Sequence, residues 1–184
     1  MLDGFRLGAS IYESGFRPNF IVGIWRGGSS VGIVVQECLA HLGVPTDHIS
    51  IRTSYQGMST YHEIVENKDA IRVHGLKYLF HAMNAEDRLL IVDDVFSSGH
   101  SIEAVISMLK TRMRKNIPKD IRIAVPWYKP SKNKTGRVPN FYLHETDKWL
   151  VLPYELEGLT LEDIRQHKTG VAHIFDDWQD TVSS

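Results

Sequence analysis

Residues 89–101 read LLIVDDVFSSGHS, and the order of that stretch decides the fold. Leu89, Leu90, Ile91 and Val92 form a short continuous apolar run that suits a strand buried on both faces. Two aspartates follow at once, Asp93 and Asp94, where burying adjacent carboxylates is costly unless a partner meets them. Ser97, Ser98, Gly99, His100 and Ser101 then supply a small polar turn whose backbone amides point at one spot. Ile102, Val105, Ile106, Leu109 and Met113 fall at helical spacing directly afterwards, so a helix amino terminus faces the same spot. A ribose bearing a 5′-phosphate answers this order. Neighbouring carboxylates accept from two adjacent hydroxyl groups and tolerate a Mg²⁺ ion, with Asp94 as the metal-side ligand, and the turn suits a dianionic phosphate. A lone acidic pair would read as a solvated helix cap; the strand before it and the turn after it favour the sugar phosphate.

Working outward, residues 20–25 (FIVGIW) read as a second buried strand, entered through Pro18-Asn19. After RGGSS, a helix carries Val31, Val34, Val35, Cys38, Leu39 and Leu42 on its apolar face and closes at Gly43 and Pro45. Residues 48–53 alternate as a strand, and residues 54–72 are polar and long for a loop, a length that usually carries function or disorder. Leu76, Leu79, Phe80 and Met83 mark a short helix, residues 121–127 another strand, residues 148–154 an extended segment, and residues 161–167 a last helix. Strands alternating with helices predict right-handed crossovers and a mostly parallel sheet covered on both faces. Ligands of such sheets sit beyond the carboxyl ends of the strands. RGGSS, Ser54-Tyr55, DDVFSSGHS and YKPSK therefore belong to one rim.

The rest of the composition narrows the class. A chain of 184 residues, 42% hydrophobic and 23% charged, suits a single globular domain. Its net charge of −1 does not drive it onto nucleic acid or a membrane surface. One cysteine, Cys38, forbids an internal disulfide and a four-thiolate zinc site, and a reducing, cytoplasmic setting is expected. No secretory signal and no run long enough to cross a bilayer is visible. The histidines form no pair at helical metal-ligand spacing, and the basic stretch at residues 110–119 reads as a solvated helix end.

Residues 89–101 resemble the phosphoribosyl-diphosphate (PRPP) motif of the type I phosphoribosyltransferases, in which an apolar strand leads into an acidic pair, two apolar residues and a small turn around glycine. Phe96 is bulkier than the aliphatic residue expected at its place. The resemblance covers about residues 20–156 and implies an α/β fold: a mostly parallel twisted sheet flanked by helices, with a small hood from the C-terminal segment. It implies one domain over residues 1–184, with a core at about 20–128, a flexible loop at about 54–72 and a base-recognition hood at about 129–160. It also implies a diphosphate site at Trp25, Arg26, Gly27 and Gly28, with a non-proline cis peptide at Trp25–Arg26, and a closing flap that contributes Ser54 and Tyr55.

The purine branch, the xanthine-guanine and hypoxanthine enzymes, looks nearest. Lys129 would read a 6-oxo group, Trp149 would stack on the base, and Leu150 and Glu155 would complete the base site. Asp93, Asp94 and Ser97 stand at the catalytic positions. At the place of Ser97 the hypoxanthine and guanine enzymes usually carry Asp facing N7, so Ser97 is a departure. The implied activity is Mg²⁺-dependent transfer of a phosphoribosyl group from PRPP to a purine base, in a homodimer or tetramer. The competing expectations are a PRPP-sensing regulator that binds nucleic acid, or transfer to a different base. The 19 residues before the first strand are too few for a winged helix, which counts against the regulator.

Overall fold

The computed structural model describes residues 1–55 and 71–182. Two compact units divide it, Met1–Asp147 and Lys148–Ser184. In the first, α1 (Leu2–Glu13) precedes β1 (Phe20–Trp25), α2 (Gly27–His41), β2 (Asp47–Tyr55), β3 (Ile71–His74) and α3 (Lys77–Ala82). Next come β4 (Arg88–Val92), β5 (Val95–Phe96), α4 (His100–Met113), β6 (Asp120–Tyr128) and β7 (Phe141–Glu145). The second unit holds α5 (Leu161–His167) and α6 (Thr169–Val182).

The sheet runs β3-β2-β1-β4-β6, and both β5 and β7 pair with β6. Every pairing is parallel except β2 with β3. The apolar run of β4 explains how the layers close. Leu89 and Ile91 join the core with α3 and α4, while Leu90 and Val92 join the core with α1 and α2. All four are fully buried, and each such side chain contributes about 1.5–3 kcal/mol relative to exposure. A strand buried on both faces has to be apolar at every position, and this one is.

Several elements differ from the sequence reading. Residues 1–19, without an assignment there, contain α1, which buries Leu7 and Ile11. The expected turn at RGGSS is already helix from Gly27 onward. Ser54 and Tyr55 end β2 instead of opening a loop, and Ile71 and Arg72 pair with them in β3. The remainder of that expected loop lies outside the described residues. Residues 148–154 form no strand. The expected hood at residues 129–160 is cut by the boundary between units: its first part, with β7, belongs to the sheet unit.

Candidate active site

The acidic pair sits where two short strands break. β4 pairs with β6 as far as Val92 opposite Ala124, and β5 resumes with Val95 opposite Trp127, in the same register. Asp93 and Asp94 occupy the gap, facing Val125 and Pro126. Proline brings no N–H to a ladder, so the strand opens there. The Asp93 N–H still donates to the Ala124 carbonyl (3.2 Å). Each aspartate then accepts from the next amide: Asp94 N–H donates to Asp93 Oδ1 (3.0 Å), and Val95 N–H to Asp94 Oδ1 (2.8 Å). Loss of solvent, and after it the charge of Asp94, holds the Asp93 carboxyl well above the usual carboxylate range. Positive charge and further donors from a ligand would favour the ionised form of Asp93.

Gly28 lies against this pair. A Cβ on it would stand 2.4 Å from the Val92 carbonyl oxygen, 2.8 Å from Asp93 Cα and 3.0 Å from Asp93 Oδ1. Only glycine lets the first turn of α2 approach so closely. Trp25 ends β1, Arg26 is the N-cap of α2, and the peptide between them is cis, as the resemblance implies. The RGG segment and the acidic pair, 65 positions apart by numbering (Gly28 to Asp93), thus meet at the carboxyl rim. Ser54, next to last in β2, has its Oγ 3.0 Å from His74 Nε2.

The turn expected to take phosphate runs from Ser97 to the first residues of α4. Gly99 is its N-cap with φ +80°, the left-handed region, and a Cβ there would stand 2.6 Å from Thr135 Oγ1 and 2.7 Å from the Phe96 ring. Phe96, unusual in the motif, is fully buried and meets Tyr128 edge-on with ring centroids 5.7 Å apart. It fills the space beneath the turn. His100 and Ser101 open α4, and His100 is buried.

A strap after β6 fixes the turn from outside, and the sequence reading missed it. Lys129 N–H donates to the Phe96 carbonyl (2.9 Å) and Lys134 N–H to the Ser98 carbonyl (3.1 Å). Asn133 ties the strap together: its Nδ2 donates to Tyr128 Oη (3.1 Å) and the Arg137 carbonyl (2.9 Å), and its Oδ1 accepts from Thr135 N–H (3.0 Å) and Thr135 Oγ1 (3.1 Å). Arg137 forms an ion pair with Glu103 on α4. The side chain of Lys129 is buried at 8% exposure, an uncommon state for lysine away from a partner or a ligand.

Trp149, Leu150 and Glu155 belong to the second unit. Trp149 is 73% exposed, Leu150 is half-buried, and Glu155 Oε2 accepts from the Leu152 N–H (2.9 Å). Among the described residues no group of three or more His, Cys, Asp and Glu side chains is arranged to hold a metal, and no helix is long and apolar enough to cross a membrane.

A mostly parallel sheet with an acidic pair and a glycine-capped turn at its carboxyl rim is the architecture of the type I phosphoribosyltransferases. Residues 5–156 match the model of the phosphoribosyl transferase domain; the chain belongs to that family and is a pentosyltransferase. Among solved structures, it is similar to a purine phosphoribosyltransferase from Pyrococcus horikoshii, with 26% identity over 86% of this chain and 90% of that one and a TM-score of 0.60. A hypothetical protein from Neisseria gonorrhoeae with bound ppGpp shares the fold at 18% identity, 91% and 90% coverage and a TM-score of 0.64. So does a xanthine-guanine-hypoxanthine phosphoribosyltransferase from Helicobacter pylori, at 17% identity, 90% and 92% coverage and a TM-score of 0.61. No curated protein sequence matches the chain.

Proposed function

We propose that the chain transfers the 5-phosphoribosyl group of PRPP to N9 of a 6-oxopurine (guanine, xanthine or hypoxanthine) and releases diphosphate. One observation carries the reading. The acidic pair, the glycine approach of α2 and the turn clasped to buried Lys129 all belong to one compact unit. Asp93 and Asp94 accept from the ribose hydroxyls, and residues 97–101 take the 5′-phosphate. Arg26 and the amides of Gly27 and Gly28 face the diphosphate, with Ser54 and Tyr55 closing from β2. Lys129 donates to the 6-oxo group, a role an adenine amino group would refuse.

The donor set fits Mg²⁺. Asp93 and Asp94 offer only oxygen, and a pair of carboxylates completed by ligand oxygens is the usual Mg²⁺ arrangement. When bound there, the ion would neutralise charge on the diphosphate. In the transfer, the bond from C1′ to the diphosphate oxygen breaks and the bond from C1′ to N9 forms. The protein contributes position and fixed charge: amides at residues 26–28 meet the departing anion, and the carboxylates face the sugar as it turns positive. The base must also lose a proton, and Ser97 faces that demand poorly. Its hydroxyl hydrogen-bonds N7, but its alkoxide is inaccessible at neutral pH without a partner base.

A panel of purine and pyrimidine bases with PRPP and Mg²⁺, followed by diphosphate release, tests the reading. Ser97→Asp should raise kcat on 6-oxopurines, recovering part of the ~10²–10⁴-fold that positioned acid–base groups supply, with little change in PRPP affinity. If neither form turns over any 6-oxopurine while PRPP still binds, the purine assignment fails and transfer to another base, or PRPP sensing, replaces it.

A further inference from the structure

The opposite end of the sheet, where the strands begin, carries a second concave site. A cavity of about 340 Å³ is lined by Tyr12, Arg17, Asn19, Arg88 and the turn at residues 42–45. It is of the size that small ligands use. Five residues of strand separate Arg88 from Asp93, about 16 Å at the usual rise, so a molecule held here does not touch the substrate site.

Its charged side chains are both donors, Arg17 and Arg88. Arg17 is locked: its guanidinium lies over the Tyr12 ring, 3.8 Å from the centroid, and its Nη1 donates to the Tyr12 (2.7 Å) and Phe16 (3.1 Å) carbonyls. That leaves the Nε–Nη2 edge, the edge that pairs with a carboxylate or phosphate through two parallel hydrogen bonds. Asn19 Oδ1 already accepts from the Arg88 N–H (2.9 Å), so its amide nitrogen is what remains to offer. Arg88 is exposed and, among the described residues, neither it nor Arg17 has an ion-pair partner. The carboxylate opposite Arg88 in strand register, Asp120, is engaged on both oxygens by Arg122 (3.0 and 3.2 Å). No acid lines the cavity, while Leu42, Val44 and Pro45 give it an apolar wall.

We propose that this cavity binds a small molecule with an oxyanion head, a phosphate monoester or a carboxylate, and a short apolar body. Arg17 holds the head through its free edge, Arg88 supplies the second charge, and the body rests on the wall at residues 42–45. The site is separate from the one that takes PRPP.

Amide chemical shifts of the full chain, followed during titration with inorganic phosphate, glycerol 3-phosphate and succinate, test this. Saturable shifts of Gly43 and Val44 are expected with at least one of the three, independent of any shift of Gly99 and Ser101 in the phosphate turn. The probe that saturates at the lowest concentration identifies the head as phosphate or carboxylate. Arg88→Gln should weaken that binding about tenfold or more, the usual scale of one charge-assisted contact, and leave turnover unchanged. Arg17→Gln should abolish it; should that variant unfold, because Arg17 also pins two carbonyls, Arg88→Gln decides alone. No saturation at Gly43 and Val44 with any probe, or an unchanged affinity in Arg88→Gln, overturns the proposal.

Discussion

Asp93 is the residue at which stability and binding oppose each other. Its carboxyl is held above the ordinary value of 3.8 by burial first and by Asp94 second. A raised folded value means that the protonated form is favoured by folding. The associated stability is complete below about pH 3.8 and is lost as pH rises through the folded value, so above that folded value the unliganded protein bears the full cost. Asp93→Asn removes that cost and should raise the melting temperature of the free protein, by about 2–4 °C for each kcal/mol relieved. The same change puts donors against the ribose hydroxyls and should weaken PRPP by calorimetry. A lower melting temperature in the variant would contradict this account of the pair. Gly28 makes a complementary case. An added methyl meets the main chain at both Val92 and Asp93, and main chain gives way less than a side-chain end. Gly28→Ala should cost about 1–3 kcal/mol in urea unfolding, the usual scale of overpacking, and weaken PRPP more than tenfold. Unchanged values for both would show that α2 shifts freely at its start.

At the scale of elements, periodicity was visible where apolar side chains carry it and silent elsewhere. β1, β4 and the buried face of α4 follow directly from the spacing of their apolar residues. α1 does not, because two of its four buried positions, Gly4 and Gly8, are glycine, which weakens a helix reading although Leu7 and Ile11 stand one turn apart. β3 and β5 have four and two residues, too few for a pattern. The acidic pair, the turn and Lys129 were legible because unusual residues stand at strand ends. The strap at Asn133 and Thr135 was not, since polar residues bonded to one another read like any loop. β2 and α2 share a further feature that periodicity hides. Gln36 Nε2 donates to the Thr46 carbonyl (3.0 Å), so its Oε1 accepts from His48 Nδ1 (3.1 Å). His48 Nε2 is buried without a partner between Gly23 and Gly32. Burial pushes the His48 value below 6.5, against a smaller opposing pull from Asp47. Protonation would place a second N–H where no acceptor stands. Stability is thus complete above about pH 6.5 and falls as pH drops from there through the lowered folded value. Urea unfolding between pH 5 and 8 should show a slope that His48→Gln flattens; an identical slope in the variant would assign the loss to other histidines.

For the whole molecule, the chemistry the resemblance assigns is divided between two compact units. Met1–Asp147 holds the acidic pair, the phosphate turn and Lys129, while Lys148–Ser184 holds Trp149, Leu150 and Glu155. The two assigned base contacts differ in character. Lys129 is buried and offers a hydrogen bond, and Trp149 is exposed and offers a face. Each is tested by itself, through base binding in its own single variant. Trp149→Ala should cost ~1–3 kcal/mol of base binding, the range found for stacking at other nucleobase sites, for adenine and guanine alike, because every base has a π-face. Lys129→Ala should reduce guanine binding and spare adenine, whose amino group presents a donor where guanine presents an oxygen. Unchanged guanine binding in Trp149→Ala would remove Trp149 from the assignment, and the base site would then have to be sought within residues 1–147 alone.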